Sequence, residues 1–144
     1  MDSDTTERLT AAATRWPQFS IVTICKDDVN GLRCTLQSTS NLDRRRVEQG
    51  VVDGNSRDGT LELLQDPEMR VSKRISESDS GIAEAFNKGV ALGSGDYVLF
   101  LNAGDPLIEG VLENLAETVR EERPEVIIGD VLHVDTEDRR LRRS

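Results

Sequence analysis

Tyr97-Val98-Leu99-Phe100-Leu101-Asn102-Ala103-Gly104-Asp105 is the stretch on which the reading of this 144-residue chain turns. Its first five residues are nearly all apolar and predict a strand buried on both faces, while the change of polarity at Asn102 predicts a small-residue turn ending in a carboxylate. In an open α/β sheet, ligands are met in the crevice beyond the carboxyl ends of the strands. Asp105 therefore stands where a metal or a phosphate-bearing ligand would arrive.

The residues around this stretch repeat the same plan. Upstream, Gly93-Ser94-Gly95-Asp96 turns the chain into the strand. Before it, 82–92 reads as a helix with Ile82, Ala85, Phe86, Gly89 and Val90 on one stripe and Gly93 as its stop. Small Ala85 and Gly89 would let that helix approach a sheet closely. Downstream, Pro106 predicts the start of a helix capped by Asp105, with Ile108, Val111, Leu112, Leu115 and Val119 as its core face and Pro124 as its end. Short strands are expected at 126–128 and 131–134, the second holding His133 in a structural role, and the arginine-rich tail 139–143 reads as a solvated end or a cut surface where a following segment is missing, rather than as a contact for anionic lipid or phosphate.

Toward the N-terminus, residues 1–17 form a polar lead-in and residues 18–144 the domain. Phe-Ser-Ile-Val-Thr-Ile-Cys from Phe19 is β-branched and apolar, the pattern of an interior strand. Asn30 is expected to cap a helix reaching Ser38. A second strand, 47–52, runs into the turn-rich Asp53-Gly54-Asn55-Ser56-Arg57-Asp58-Gly59-Thr60, and a short helix at 61–65 follows with Asp58 or Thr60 as its cap. A third strand, 69–76, leads into Glu77-Ser78-Asp79-Ser80-Gly81. Strand and helix alternate throughout, which predicts a three-layer α/β/α sandwich around a mostly parallel sheet, a Rossmann-like plan. Asp53, Asp79 and Asp105 each follow a different strand, so such a sheet brings all three to one rim. Singly each has a turn or cap to serve; together they suit Mg²⁺ or Mn²⁺, which take hard oxygen ligands.

Composition narrows the classes of function. The formal net charge of −9 argues against a nucleic-acid partner, because phosphate backbones need clustered positive charge. A small anionic ligand carried with a divalent cation remains compatible with it. No apolar run approaches the roughly 20 residues of a membrane span. The acidic start, Met-Asp-Ser-Asp-Thr-Thr-Glu, lacks the apolar core of a secretion signal, so the expectation is a cytoplasmic protein. Peripheral attachment to the inner face of a membrane and homo-oligomerisation both stay open. Cys25 and Cys34 lack metal-binding spacing and read as buried free thiols.

Five blocks, taken together, resemble the family 2 glycosyltransferases: Ser20-Ile21-Val22-Thr23-Ile24, Val51 through Thr60, Ser76 through Ile82, Asn87-Lys88-Gly89, and Phe100 through Asp105. The likeness runs from about residue 19 to 135 and is nearest to the branch that builds bacterial surface polysaccharides, of the colanic-acid type. It implies a GT-A fold that binds a UDP- or GDP-sugar and an inverting, metal-dependent transfer to a glycan or lipid-linked acceptor. It further implies that Thr23, Cys25 and Asp53 line the nucleotide's base and ribose, with Ser56 beside them, that Asp79 and Asn87 lie near the nucleotide-sugar, and that Asp105 holds the Mn²⁺ or Mg²⁺. Lys26 stands where an aromatic residue often lies, Ala83 replaces an expected tyrosine, and Asp105 is the only acid of its block. The family places its acceptor site and general base later in the chain than residue 144, so no catalytic base is assigned and the chain reads as the donor-binding portion. The rival readings are a non-catalytic nucleotide-sugar-binding or assembly module on the same fold, and a nucleotidyltransferase. The last would want a Gly-rich phosphate loop after the first strand, which Lys26-Asp27-Asp28-Val29-Asn30-Gly31 does not supply.

Overall fold

The computed structural model describes residues 16–128 in full and 132–134 and 140–143 as backbone; the expectations for residues 1–15 fall outside the described residues. Its elements run β1 (Phe19–Cys25), α1 (Val29–Thr39), β2 (Val47–Asp53), α2 (Thr60–Leu64), a 3-10 turn (Pro67–Met69), β3 (Lys73–Ser76), α3 (Ile82–Leu92), β4 (Tyr97–Phe100), α4 (Val111–Glu122), β5 (Leu132–Val134) and β6 (Arg140–Arg143). The first four strands make one parallel sheet in the order β3-β2-β1-β4. With every strand running the same way, all four carboxyl ends open on one edge.

Alternation along β1 assigns the two faces. Phe19, Ile21 and Cys25 pack with residues of α1, α2 and α4, whereas Val22 packs with Val52 and with Ala85 of α3. The sheet is thus covered on both sides, the three-layer α/β/α arrangement expected. Helix α3 comes nearest: a Cβ placed on Gly89 would stand 2.4 Å from Val22 Cγ1, so only glycine permits this spacing. Among the described residues no helix is long and apolar enough to cross a membrane.

Several expectations are corrected. The opening stretch is not doubly buried: β4 is an outer strand among the described residues, and Phe100 is 41% exposed. The strands buried on both faces are β1 and β2. No helix starts at Pro106; α4 begins at Val111 behind Gly110, whose φ of +86° turns the chain, so Asp105 caps nothing and Ile108 is exposed. The buried face of α4 is Leu112, Ala116 and Val119. Helix α1 is capped by Asp28 rather than Asn30, and α2 by the backbone of Gly59 rather than a side chain. Residues 69–72 are taken up by the 3-10 turn and its exit, which shortens β3. On α3 only Ala85 and Gly89 are buried, while Ile82 and Val90 are exposed. Val126 and Ile128 are exposed and outside any strand, and the tail pairs antiparallel as β6 with β5, where His133 lies. Cys25 is buried, but Cys34 faces outward on α1.

At the amino end of the sheet, Glu48 of β2 gathers neighbouring segments. It accepts from Ser20 Oγ (2.6 Å) on β1 and from Ser94 N (2.5 Å), and pairs with Lys73 Nζ (3.1 Å) on β3. Burial alone would raise this carboxyl, but the donors from Ser20, Ser94 and Lys73 outweigh it and hold Glu48 down to about 2.

Two outcomes follow from this packing. Gly89→Ala gains roughly 1 kcal/mol of helix propensity but forces the helix off Val22, an overpacking cost of about 1–3 kcal/mol. A net loss on the order of 1 kcal/mol is expected in urea unfolding, and a stabilised variant would refute the close packing. Because the folded pKa of Glu48 lies below its ordinary 4.5, its contribution is complete above that pH and is lost as pH falls toward about 2. Glu48→Gln should therefore flatten the acid limb of the stability–pH curve across that window and leave the neutral limb parallel to that of the parent chain.

Candidate functional site

The carboxyl edge of the sheet is built on one carboxylate out of contact with water. Asp53, the last residue of β2, is 0% exposed. Its Oδ2 accepts from Ser76 Oγ (2.7 Å) and Ser56 N (3.2 Å), and its Oδ1 from Ser56 Oγ and, at 3.6 Å, Cys25 Sγ. A buried carboxylate survives only with such a set of donors. Burial and then the Asp53 charge push the Cys25 thiol up, so it stays protonated and serves as a donor. Sequence reading thus named Cys25, Asp53 and Ser56 as separate lining residues, and the structure joins all three in one buried group.

From this group the loops are built outward. Ser56 Oγ also accepts from Asp27 N (2.8 Å), and Asp27 Oδ1 accepts from Arg57 N (2.9 Å), which locks the loop after β1 to the loop after β2. Asp27 and Asn55 both hold positive φ (+49° and +64°), conformations that Asp and Asn tolerate better than most residues. Asp58 accepts from Thr60 Oγ1 (2.6 Å) and Val29 N (2.9 Å), and these bonds lower its carboxyl. Asp28 caps α1 through Gly31 N (3.1 Å). A Cβ on Gly31 would reach to 2.2 Å of that same carboxylate, so a larger residue there would push the cap aside.

Asp79 is half-buried in the loop after β3. Its Oδ1 accepts from Gly81 N (3.2 Å), and its Oδ2 lies 3.5 Å from where a Cβ on Gly54 would stand. The Lys26 stem flanks the same point at 3.4 Å, so Lys26 and Asp79 border Gly54 at the ends of β1 and β2. Lys88 fixes this loop from α3 by donating to Ser78 O (3.2 Å) and pairing with Glu77 (3.2 Å) and Glu84 (3.4 Å). Asn87 is exposed on the same helix. Thr23 is fully buried and accepts from Gln49 Nε2 (3.0 Å), so it belongs to the interior beneath the edge.

Asp105 is exposed and ends a turn closed by Asp105 N on Asn102 O (2.9 Å). Gly104 at the third position has φ +95°, the left-handed value that a type II turn demands. The turn hangs from α1: Thr35 Oγ1 accepts from Gly104 N (3.1 Å) and shares its proton between Asn102 O (3.2 Å) and Asp105 O (3.1 Å). Ser38 Oγ receives Leu107 N (2.9 Å). These two α1 residues carry no sequence signal for the task, since their partners lie about 70 positions away. The Asp28 carboxylate is the acid against this turn, 3.8 Å from where a Cβ on Gly104 would stand.

Among the described residues no three His, Cys, Asp or Glu side chains gather as a ligand set. Asp53 is closed within its own bonds, leaving Asp105, with Asp28 beside its turn, as the open carboxylates there. That donor set does not make an all-protein cage. It does fit a cation held by one or two carboxylates and completed by ligand phosphates, the usual habit of Mg²⁺.

Comparison with known proteins agrees with this architecture. The family described as Glycosyl transferase family 2 matches residues 20–144. A PGL/p-HBAD biosynthesis glycosyltransferase of Mycobacterium bovis is 31% identical over 121 residues, 81% of this chain and 47% of the relative. An uncharacterized glycosyltransferase of Mycobacterium tuberculosis is 37% identical over 90 residues, 62% of this chain and 34% of the relative. The chain thus spans less than half the length of these relatives. The crystal structure of S. aureus TarS 1-349 in complex with UDP-GlcNAc superposes with a TM-score of 0.66 at 20% identity, over 74% of this chain and 32% of that one. The mannosyltransferase PcManGT from Pyrobaculum calidifontis, in complex with GDP-Man and Mn2+, does so at 0.61 and 21% identity, over 75% of this chain and 33% of that one. With a family match over most of its length and a sheet that superposes on GT-A enzymes, the chain belongs to glycosyl transferase family 2.

Proposed function

We propose that this chain is the donor-binding portion of an inverting, metal-dependent glycosyltransferase that moves a sugar from a UDP- or GDP-sugar to a glycan or lipid-linked acceptor in the assembly of a surface polysaccharide. The observation that carries the reading is the carboxyl edge of the sheet, where the loops after the four parallel strands open on one side, with Asp105 exposed, Asp79 half-buried and Asp53 holding the wall beneath them. The mycobacterial relative named for PGL/p-HBAD biosynthesis and the neighbours solved with UDP-GlcNAc and GDP-Man suggest the class of donor.

In this reading Asp53 acts through Ser56, fixing the hydroxyl and amide that border the nucleotide, while Cys25 and Thr23 back that wall from the interior. Asp79, flanked by Lys26 across Gly54, faces the ribose and diphosphate, and Asn87 supports the sugar side. Asp105, presented on a tethered turn, would hold Mn²⁺ or Mg²⁺ against the phosphates. Such a cation, when bound, neutralises charge developing on the diphosphate leaving group. The described residues assign no general base for the acceptor hydroxyl, which inverting transfer requires from the opposite face.

Thermal unfolding with UDP or GDP, each with and without Mn²⁺, tests the assignment. Ligand at 100 times its Kd should add about 2.7 kcal/mol, a rise of several degrees in Tm for a domain of this size. Asp105→Ala should remove the Mn²⁺-dependent part of the rise and leave the ligand-free Tm nearly unchanged, because the exposed carboxylate caps no helix. No response to either nucleotide would sink the proposal. Asp53→Asn is expected to act differently: it puts an amide donor among the Ser56 and Ser76 donors and should cost about 2 kcal/mol before any ligand is added. Equal ligand-free stability of Asp53→Asn and the parent chain would overturn the structural part of its role.

A further inference from the structure

A cation stands in the middle of the acidic edge. Lys26 follows β1 directly, and β1 lies between β2 and β4 in the sheet order β3-β2-β1-β4. The strand order reverses between β1 and β4, the kind of switch point at which open α/β sheets meet their ligands. Past its own end β4 stays bonded to β1, through Leu101 N to Val22 O (3.0 Å) and Ala103 N to Ile24 O (3.1 Å). The turn that carries Asp105 therefore leaves the sheet beside Cys25 and Lys26.

Lys26 is exposed, yet its stem is seated. Cβ and Cδ both lie 3.4 Å from where a Cβ on Gly54 would stand, so the stem rests on the buried backbone of Gly54 and leaves the head to solvent. Among the described residues the ammonium makes no hydrogen bond or ion pair, although acids surround it. Those acids are bound to backbone amides instead: Asp27 to Arg57 N (2.9 Å), Asp28 to Gly31 N (3.1 Å), Asp58 to Val29 N (2.9 Å) and Asp79 to Gly81 N (3.2 Å). Asp79 even borders the same point above Gly54, with Oδ2 3.5 Å from it, and does not pair with the lysine. Lys88, on α3, differs in being fully engaged, with Glu77, Glu84 and Ser78 O.

We propose that Lys26 is a phosphate-binding residue of the donor site: its ammonium donates to an oxygen of the nucleoside diphosphate and holds it without help from a metal. The proposal rests on the transferase reading. A diphosphate arriving at this edge meets the exposed carboxylate of Asp105 and the half-buried one of Asp79, and like charges repel. A cation on Asp105 would offset one part of that repulsion, and Lys26 offsets another as a point charge, the form in which lysine binds phosphate.

Calorimetric titration of the full chain with UDP and with GDP, in EDTA and in Mn²⁺, tests the lysine against Lys26→Met, which keeps the stem, and Lys26→Arg, which keeps the charge. In EDTA the parent chain should bind at least one of the two nucleotides. Lys26→Met should weaken that binding roughly tenfold, the weight of one charge-assisted hydrogen bond, and Lys26→Arg should restore most of it. Ligand-free Tm should be nearly the same in all three chains, since the head has no partner to lose; a much lower Tm in Lys26→Met would assign the lysine to the fold instead. Uridine and guanosine lack phosphate, so a parallel loss of their binding in Lys26→Met would place the lysine on the base and overturn the phosphate assignment. The proposal also fails if the parent binds only with Mn²⁺, or if Lys26→Met matches the parent in EDTA, while binding in Mn²⁺ leaves the transferase reading standing. Absence of binding in both media defeats the two together.

Discussion

A carboxylate that cannot reach water governs the working edge of this protein. Asp53 terminates a strand buried on both faces, and its charge is tolerated only because Cys25, Ser56 and Ser76 turn donors toward it from β1, from the following loop and from β3. Those donors belong to different segments, so satisfying one side chain sets the positions of several loops. Ser56 passes the constraint to Asp27, and Asp27 passes it to Arg57. The rim is therefore held by polar bonds that the core must accommodate, and its shape follows from the packing beneath it.

The same strand is polar along much of its inner length. Glu48 near its start draws in Ser20, Ser94 and Lys73; Gln49 next to it binds Thr39 Oγ1 (2.9 Å) and Thr23 Oγ1 (3.0 Å); Asp53 closes its end. An apolar β2 would register against β1 through shape alone. Here a slip of one residue would leave the buried Gln49 and Asp53 without partners, each costing about 1–3 kcal/mol, and would strip the half-buried Glu48 of its donors, on top of turning the apolar set to the wrong face. Polar groups in the interior thus specify which residues of β1 and β3 stand opposite β2.

Much of this was legible in the residues. The β-branched run from Phe19, the alternation of strand and helix, and the helix ending at Gly93 were read with the correct type and nearly correct bounds, because each is a local pattern. What escaped was set by distant contacts. The apolar content of Tyr97–Phe100 is that of a central strand, yet its position in the sheet order makes it an outer one among the described residues. The periodic series through Ile108 reads as helix, but Gly104 and Gly110, both at positive φ, delay the helix to Val111. At the rim, the acids were identifiable by type and by their place after strands. That Asp53 points inward while Asp105 points outward depends on Ser76 and Thr35, whose roles no spacing could announce.

The turn that presents Asp105 is suspended from the middle of a helix rather than left at the tip of a free loop. One hydroxyl on α1 serves an amide and two carbonyls of that turn, and a second hydroxyl receives the amide of Leu107 just beyond it. A segment restrained in this way has little conformational freedom left to surrender when something settles on it. The ordering penalty that flexible recognition loops meet at the moment of association has here been met already in folding. Helix α1, which reaches the rim through its cap, the amide of Val29 and two small side chains, thereby acts as the rigid mount of the edge, and a change in its tilt would move the ends of β1 and β4 together.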